Sequence, residues 1–184
     1  MGFMLEAIII GSLILLIYWF LYNKENRKFI YLAAAISFIW VFFSGLYGYR
    51  GNDYVILGLN LFAFFAWTTG LMILKKAYDL LKFKGKYWVF IIAYMVAIIT
   101  AEYIGYNLLN IKLTTNYSGI FGLEAMHMPW YGKFYYLTMG WIFVRIEDII
   151  KFVKSKLKKK RKKKKTSNQF LIKFRKFTNF FKFF

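Results

Sequence analysis

The sequence predicts an all-α membrane protein, a bundle of about five transmembrane helices with its N-terminus outside and its C-terminus in the cytoplasm. Hydrophobic residues make up 60% of the 184 positions, more than a soluble core of this size requires. They are concentrated in long runs, and a run of about 20 apolar residues crosses a hydrocarbon core of about 30 Å. Loops that are rich in lysine and arginine alternate with loops that contain few of them, as five crossings require.

Each predicted span is defined by an apolar run and its flanking charges. The second and third runs contain no charged residue, and the fourth is interrupted only by Glu102. The first run requires Glu6 to lie at the headgroup level. The fifth is the weakest, because Arg145 must extend its guanidinium to the interface. Within a transmembrane domain of residues 1–153, the predicted spans are 3–22, 29–49, 54–74, 87–110 and 130–150.

The distribution of lysine and arginine predicts the orientation of these spans. The loop at 24–28 carries three basic residues and the stretch 75–86 carries five, whereas the second loop carries only Arg50. Fifteen more basic residues lie from Lys151 onward. Because lysine and arginine mark cytoplasmic loops, an odd number of spans is needed to place the tail beside the first and third loops. We therefore expect a multi-pass protein of the cell membrane.

The tail begins with a predicted polybasic linker at residues 154–169. Nine of the ten positions from Lys156 to Lys165 are basic. A nuclear-localisation signal or a nucleic-acid contact is an alternative interpretation. A basic run that directly follows a membrane helix is more typical of a segment that binds anionic headgroups, at about 1 kcal/mol per basic residue, so we expect no specific nucleic-acid partner. The predicted headgroup-binding residues are Lys158, Lys159, Lys160, Arg161, Lys162, Lys163, Lys164 and Lys165.

The last segment, residues 170–184, is predicted to be a basic amphipathic helix. Its phenylalanines recur at spacings of four and three, which places them on one helical face. Lys173, Lys176 and Lys182 lie mostly off that face. A helix of this composition is typical of the membrane interface. Its phenylalanine face consists of Phe170, Phe174, Phe177, Phe181 and Phe184.

Glu102 is the main candidate for a catalytic role. It lies about eight residues before the outer end of the fourth predicted span, and so about 10 Å below the outer surface. An ionisable group at such a depth costs about 2.5–3.5 kcal/mol on insertion scales and is a functional candidate by default. We predict that Glu102 is an acid–base group. The alternative is a structural carboxyl that joins helices through partners such as Asn60 or Ser44.

Two further candidates, Glu124 and His127, lie in the loop between the fourth and fifth spans. The stretch 120–130 is too apolar for a free loop, so we expect a short helix or a segment that re-enters the outer leaflet. If it is helical, the spacing of three puts Glu124 and His127 on one face, where both would support Glu102. A lone histidine is more often an interfacial hydrogen-bonding group than a catalyst. We expect no metal, because carboxylate-bridged metal sets need a second such motif.

A predicted polar cluster of Asn60, Tyr106 and Asn107 surrounds Glu102. Tyr106 shares the helical face of Glu102, and Gly105 would let a neighbouring helix approach closely. Candidate polar groups thus converge on the outer half of the bundle, whereas the inner half is almost purely apolar. This asymmetry argues against a continuous ion pathway, which needs a polar lining along its length.

Composition and motifs exclude several classes of function. The chain has no cysteine, so thiolate catalysis is excluded. No glycine-rich turn follows a predicted strand, so the sequence contains no nucleotide-binding motif. We expect no cofactor. Three hypotheses remain: a structural protein that binds lipid or a membrane partner, a lipid-phase enzyme that uses Glu102, and a subunit of an oligomeric transporter or channel. The sequence favours the first, because it requires the fewest assumptions, and a homo-oligomer is compatible with it.

Overall fold

The computed structural model describes residues 2–48, 54–113, 117–150, 152–153 and 155–157. The chain divides into two units, Met1–Val144 and Arg145–Phe184. In the first unit an antiparallel hairpin precedes the third helix, and a π-helical turn, Ile104–Leu108, follows the fourth. The elements are α1 (Gly2–Tyr22), α2 (Lys24–Ser44), β1 (Val55–Ile56), β2 (Leu59–Asn60), α3 (Leu61–Leu80), α4 (Lys86–Tyr103) and α5 (Trp130–Val144).

Three helical segments are long and apolar enough to cross a membrane: Leu5–Tyr22, Lys24–Ser44 and Lys86–Leu108. The protein is therefore mostly helical and suited to a membrane, as the sequence predicts. Helix α3 carries Lys75, Lys76 and Asp79 near its end. Helix α5 has 15 residues and spans about 22 Å at 1.5 Å per residue, less than a hydrocarbon core of about 30 Å. Membrane crossing by α3 and α5 remains a prediction.

The outward faces of α1 and α4 are apolar. Ile10 and Ile14 on α1, and Ile92 and Val96 on α4, are each more than half exposed. In water each such side chain would forfeit about 25 cal/mol for every Å² left unburied, whereas hydrocarbon solvates it as well as a protein core does. Lipid is thus the solvent in which these faces are stable.

The first three helices run in alternating directions. At one end of the bundle the Tyr54 hydroxyl donates to the Glu6 carboxylate, so the start of α1 lies beside the hairpin. At the other end Asn26 Nδ2 donates to the Trp19 carbonyl at 3.2 Å, and Lys76 Nζ donates to Asn26 Oδ1 at 2.5 Å. The end with Glu6 corresponds to the predicted outer side, and we call it the outer end.

Helix α3 is the central helix of the first unit. It packs against α1, α2 and α5, and its Leu71 and Met72 are fully buried. Because its surroundings are mostly protein, α3 can bury the charged Lys75. The Lys75 ammonium binds both carboxylate oxygens of Asp79, at 2.5 and 2.6 Å, and lies 4.6 Å from the centre of the Phe29 ring. The ion pair keeps the buried ammonium hydrogen-bonded.

Two helix boundaries differ from the predicted spans for local reasons. Helix α2 begins at Lys24 and not near residue 29, because the Asn23 side chain accepts from Glu25 N at 2.8 Å and caps the first turn. The stretch from Val55, predicted to be the start of a span, forms the hairpin instead. Its turn at Leu57 and Gly58 has positive φ at both positions, a conformation typical of tight hairpins.

The fifth helix and the loop before it also differ from expectation. Helix α5 begins at Trp130, directly after Pro129, and ends at Val144. A turn at Arg145 follows, and residues 146–150 are helical within the second unit. Arg145 Nε and Asp148 Oδ2 form an ion pair of 2.6 Å. The stretch 120–128 consists of turns and irregular backbone and does not form the short helix that was one of the two predicted structures. Residues 158–184 lie outside the described residues, and so does the predicted helix at 170–184.

Candidate functional site

A partly open cavity of about 320 Å³ lies between α3 and α4. This volume falls at the lower end of the range of small-molecule sites, roughly 300–1,000 Å³. Most of the wall is apolar, and the polar groups on it are few. The lining residues are Tyr47, Phe62, Ala63, Ala66, Trp67, Gly70, Leu71, Leu74, Tyr94, Ile98, Ala101, Glu102, Gly105, Tyr106, Leu109, Ile111, Leu113, His127 and Tyr136.

Small side chains on the facing helices account for the space. On α3, Ala63, Ala66 and Gly70 recur at spacings of three and four, so they share one face. On the other wall, Ala101 and Gly105 are four residues apart. Two helices that meet through small residues usually pack in close contact. Here a gap remains between them.

Glu102 lies on the wall of this cavity, in the last turn of α4. The side chain is half-buried, and its carboxyl is hydrogen-bonded to the Tyr136 hydroxyl of α5. The π-helical turn begins two residues later, where Leu109 N donates to Ile104 O at 3.0 Å. π-helical turns are rare, and they frequently occur at functional sites. The observed partner of Glu102 is therefore an aromatic hydroxyl, and not the Asn or Ser of the structural hypothesis.

The hydroxyl of Tyr47 is the centre of a hydrogen-bonded chain that ends on Glu102. It accepts from the indole nitrogens of Trp40 at 2.6 Å and Trp67 at 2.8 Å, and donates to the Tyr136 hydroxyl at 3.1 Å. An indole N–H can only donate, and a hydroxyl has one proton and two lone pairs. With both lone pairs of Tyr47 used, its proton points to Tyr136. The proton of Tyr136 then points to Glu102.

This chain fixes the role of one oxygen of Glu102. That oxygen must accept from Tyr136, so a proton on the carboxyl is carried by the other oxygen. The two tryptophans donate without being able to accept, and the direction of the chain cannot reverse. In an apolar setting, such aligned hydrogen bonds reinforce one another. The arrangement holds the carboxyl in one orientation on the cavity wall, which an acid–base group requires.

His127 and Tyr106 form the wall near the outer end of the cavity. Their rings stack with centres 3.9 Å apart and planes inclined by 17°. His127 Nε2 lies 3.0 Å from Glu124 Oε2, and the Glu124 side chain is 65% exposed. Among the described residues, His127 Nδ1 is a buried atom with no hydrogen-bond partner. The predicted pair of Glu124 and His127 thus meets without a helix, and it connects the cavity wall to an exposed carboxylate.

The loop that carries His127 is held by hydrogen bonds to the neighbouring elements. The Lys133 ammonium donates to the carbonyls of Ser118 at 2.8 Å and Gly119 at 3.1 Å. Asn107 Nδ2 donates to the Tyr103 and Glu124 carbonyls, at 3.0 Å each. The first contact joins the loop to α5, and the second joins it to the π-helical turn. Asn107 therefore positions the Glu124–His127 pair and does not line the cavity.

Asn60 has a structural position. Its Oδ1 accepts from Ala63 N at 3.0 Å and caps α3, and its Nδ2 donates to the Tyr47 carbonyl at 3.1 Å. The side chain is fully buried and lies outside the cavity wall. Asn60 thus holds the loop of Tyr47 against the start of α3. Of the predicted site residues, Glu102, Tyr106 and His127 line one cavity, while Glu124, Asn107 and Asn60 support its wall.

Tyr47, Trp67 and Tyr136 were not predicted to be site residues. A tyrosine carries little signal in a chain with fifteen of them. Trp67 offers a better one, because it lies in the interior of an apolar run where its N–H needs an acceptor. That requirement implies a buried polar partner nearby. Its identity, the Tyr47 hydroxyl, depends on how α3 packs against the loop after α2.

No protein family, curated protein or solved structure shows significant similarity to this chain. Evidence for the function therefore comes from the residues of the site itself. Within the part of the chain that the structure describes, no three histidine, cysteine, aspartate or glutamate side chains are grouped to hold a metal ion. The chemically distinctive feature is one oriented carboxyl on the wall of an apolar cavity.

Proposed function

We propose that this protein is a membrane-embedded enzyme that isomerises an apolar small molecule or lipid by acid–base proton transfer at Glu102. Glu102 takes a proton from one carbon of the bound molecule and returns a proton at another, while electrons of a double bond shift between the two. The reaction needs no oxidant, reductant or second substrate. The observation that supports it is the hydrogen-bonded chain that orients the Glu102 carboxyl on the wall of an apolar cavity.

The surroundings of Glu102 suit this chemistry. An apolar wall excludes water, which strengthens every electrostatic interaction inside the cavity. The exposed Glu124 carboxylate binds His127, whose ring lies on the same wall. The pair offers a route by which the site exchanges protons with the outer solution. A purely structural carboxyl would need neither the free volume nor this connection.

The measurement that tests this function is deuterium incorporation into lipid. The full-length protein is reconstituted in vesicles made from the total lipid extract of its source membranes and is incubated in D₂O. Isomerisation by proton return from solvent introduces carbon-bound deuterium, which mass spectrometry of the extracted lipids detects. We expect incorporation above that in protein-free vesicles. Equal incorporation with and without the protein would overturn the proposal and favour the structural hypothesis.

Tyr136→Phe should lower the rate of this incorporation by about ten- to a hundredfold, because a hydrogen bond to a charged group contributes about 1.5–3 kcal/mol. The phenylalanine ring keeps its position between Trp67 and the cavity. The infrared carboxyl band that disappears in Glu102→Gln should also shift in frequency in Tyr136→Phe. A slower rate with an unshifted band would mean that Tyr136 stabilises the folded protein but does not bind the Glu102 carboxyl.

We also propose that the first unit crosses the membrane five times with its outer end outside the cell. Single cysteines introduced at Asn52 and Asn116 should react with a membrane-impermeant thiol reagent added to intact cells, whereas a cysteine at Lys84 should be protected until the cells are permeabilised. The native chain has no cysteine, so the purified wild-type protein carries no label. Labelling of Lys84→Cys in intact cells would exclude this topology.

The tail completes the proposed arrangement. The polybasic run Lys158–Lys165 would bind anionic headgroups at the cytoplasmic face, and the helix 170–184 would lie in the interface beside it. A synthetic peptide of residues 156–184 should bind vesicles that contain anionic lipid and release them at high salt. Equal binding to neutral vesicles would remove the headgroup role.

A further inference from the structure

We propose that the cavity binds one extended hydrocarbon chain whose polar end is a hydroxyl that donates to His127 Nδ1. This inference deepens the proposed function, because it names the class of molecule that would meet Glu102. It rests on the length of the apolar cavity wall, on two glycines that nothing in their surroundings requires, and on the nitrogen of His127 that has no partner among the described residues.

The cavity wall is long and mostly apolar. On α3 the lining residues extend from Phe62 to Leu74, which is about 18 Å along the helix axis at 1.5 Å per residue. An extended hydrocarbon chain can contact a wall of this length from end to end. A compact molecule would leave much of the wall without a contact.

Gly70 and Gly105 are not explained by the fold. A Cβ atom built at either position meets no atom within 4 Å, and neither residue has a positive φ. A glycine in a helix interior is less stable than alanine by about 0.5–1 kcal/mol. Neither helix packing nor backbone conformation compensates for that loss here. Both residues line the cavity, and their effect is to keep space for an occupant.

His127 specifies the polar end of the occupant. Its Nε2 is within hydrogen-bond distance of Glu124 Oε2, a carboxylate oxygen that can only accept when ionised. In the neutral form of the ring the proton therefore lies on Nε2, which leaves Nδ1 as an acceptor. Within the described residues no donor reaches that buried atom, and leaving such an atom unpaired is costly. A hydroxyl of the bound molecule would satisfy it.

The position of His127 also sets the direction of the chain. His127 lies near the outer end of the cavity, whereas Leu74 and Tyr94 lie at its inner end. Glu102 and Trp67 lie between these two ends. A chain that is anchored by its hydroxyl at His127 would therefore pass the Glu102 carboxyl a few carbons below its polar end. The bond that isomerises would lie there.

The experiment measures binding of tritiated hexadecan-1-ol to the full-length protein in nanodiscs, as the excess over protein-free nanodiscs. Native mass spectrometry gives the stoichiometry. We expect one chain per protein, with competition by farnesol but not by the compact adamantan-1-ol. The relative affinities of hexadecan-1-ol and farnesol distinguish an acyl-type from a prenyl-type chain. Equally effective competition by adamantan-1-ol would overturn the inference.

Gly70→Leu should weaken binding of hexadecan-1-ol about a hundredfold, because the new side chain occupies the volume of about four chain carbons. The matched control is Gly11→Leu, on the exposed face of α1 and away from the cavity, which should bind as the wild type does. Equal binding by Gly70→Leu and the wild type would contradict the proposed position of the chain.

A second variant keeps the inference testable if Gly70→Leu does not fold. The wild type should prefer hexadecan-1-ol to hexadecane by about tenfold, the contribution of one hydrogen bond. His127→Phe retains a ring against Tyr106 and should abolish that preference. If chains bind but deuterium is not incorporated, the proposed enzyme is wrong and the binding site stands. If deuterium is incorporated and no chain binds, only this inference fails.

Discussion

Replacement of Glu102 by glutamine is expected to lower the rate of deuterium incorporation by about 10²–10⁴-fold, the usual contribution of a positioned acid–base group. Glutamine has nearly the same shape, and its side-chain oxygen can still accept from Tyr136. The hydrogen-bonded chain that begins at Trp40 and Trp67 therefore remains complete. What is lost is the proton that the carboxyl gains and loses.

The control for this prediction is Glu6→Gln. Glu6 is also a carboxylate at the outer end of the bundle, where it accepts from the Tyr54 hydroxyl, but it does not line the cavity. The same change of atoms there should leave the rate within about twofold, because solvent and the Tyr54 hydroxyl accommodate the amide. A similar rate for Glu102→Gln and Glu6→Gln would contradict the acid–base role. Loss of folded Glu102→Gln protein would support the structural alternative.

The second large expected effect is a change in the free energy of unfolding when glycine is replaced by alanine. The change has opposite signs at Gly140 and at Gly70. Gly140→Ala should destabilise the first unit by about 1–3 kcal/mol, the usual effect of overpacking. A Cβ atom at Gly140 would overlap the ring of Tyr94 and lie 2.9 Å from Leu74 Cδ1. The Tyr94 ring is fully buried, and its hydroxyl donates to the Tyr136 carbonyl. Moving that ring would therefore also weaken the contact between α4 and α5.

Gly70→Ala is the matched substitution and should stabilise the protein by about 0.5–1 kcal/mol. Its Cβ atom enters open space, and alanine has the higher helix propensity. Thermal unfolding in a mild detergent would show a lower melting temperature for Gly140→Ala and a higher one for Gly70→Ala. A destabilising effect of Gly70→Ala would mean that α3 and α4 come together at this point, and the cavity would not exist as described.

The two glycines show why residue type alone does not reveal a role. Both lie in apolar runs of the sequence, and both would be assigned to close helix packing. The structure places Gly140 against Tyr94 and leaves Gly70 facing empty volume. The difference depends on which helix lies opposite, and the order of residues along one helix does not contain that information.

Local physical chemistry was enough to predict a mostly helical chain with helices long and apolar enough to cross a membrane. A run of apolar residues must form a helix in lipid, since no water is present to satisfy the backbone. The apolar runs therefore located the helices α1 to α5 among the described residues, although Asn23 and the Leu57–Gly58 turn shifted two boundaries. Glu102 also stood out locally, as the only charge in its run. Glu124 and His127 were close enough in sequence to be paired.

The tertiary structure alone decided what surrounds Glu102. Tyr136 is 34 positions away along the chain and Tyr47 is 55 positions away, so their meeting depends on α5 and the loop after α2 packing at the same end of the bundle. The direction of the hydrogen-bonded chain follows from the two indole donors at its start. The sequence identified a carboxyl in an apolar run. Helix packing gave that carboxyl a fixed orientation and placed it beside a cavity. Only the packing could decide this, because the side chains that fill the space between helices, or leave it open, are distant from Glu102 in the sequence.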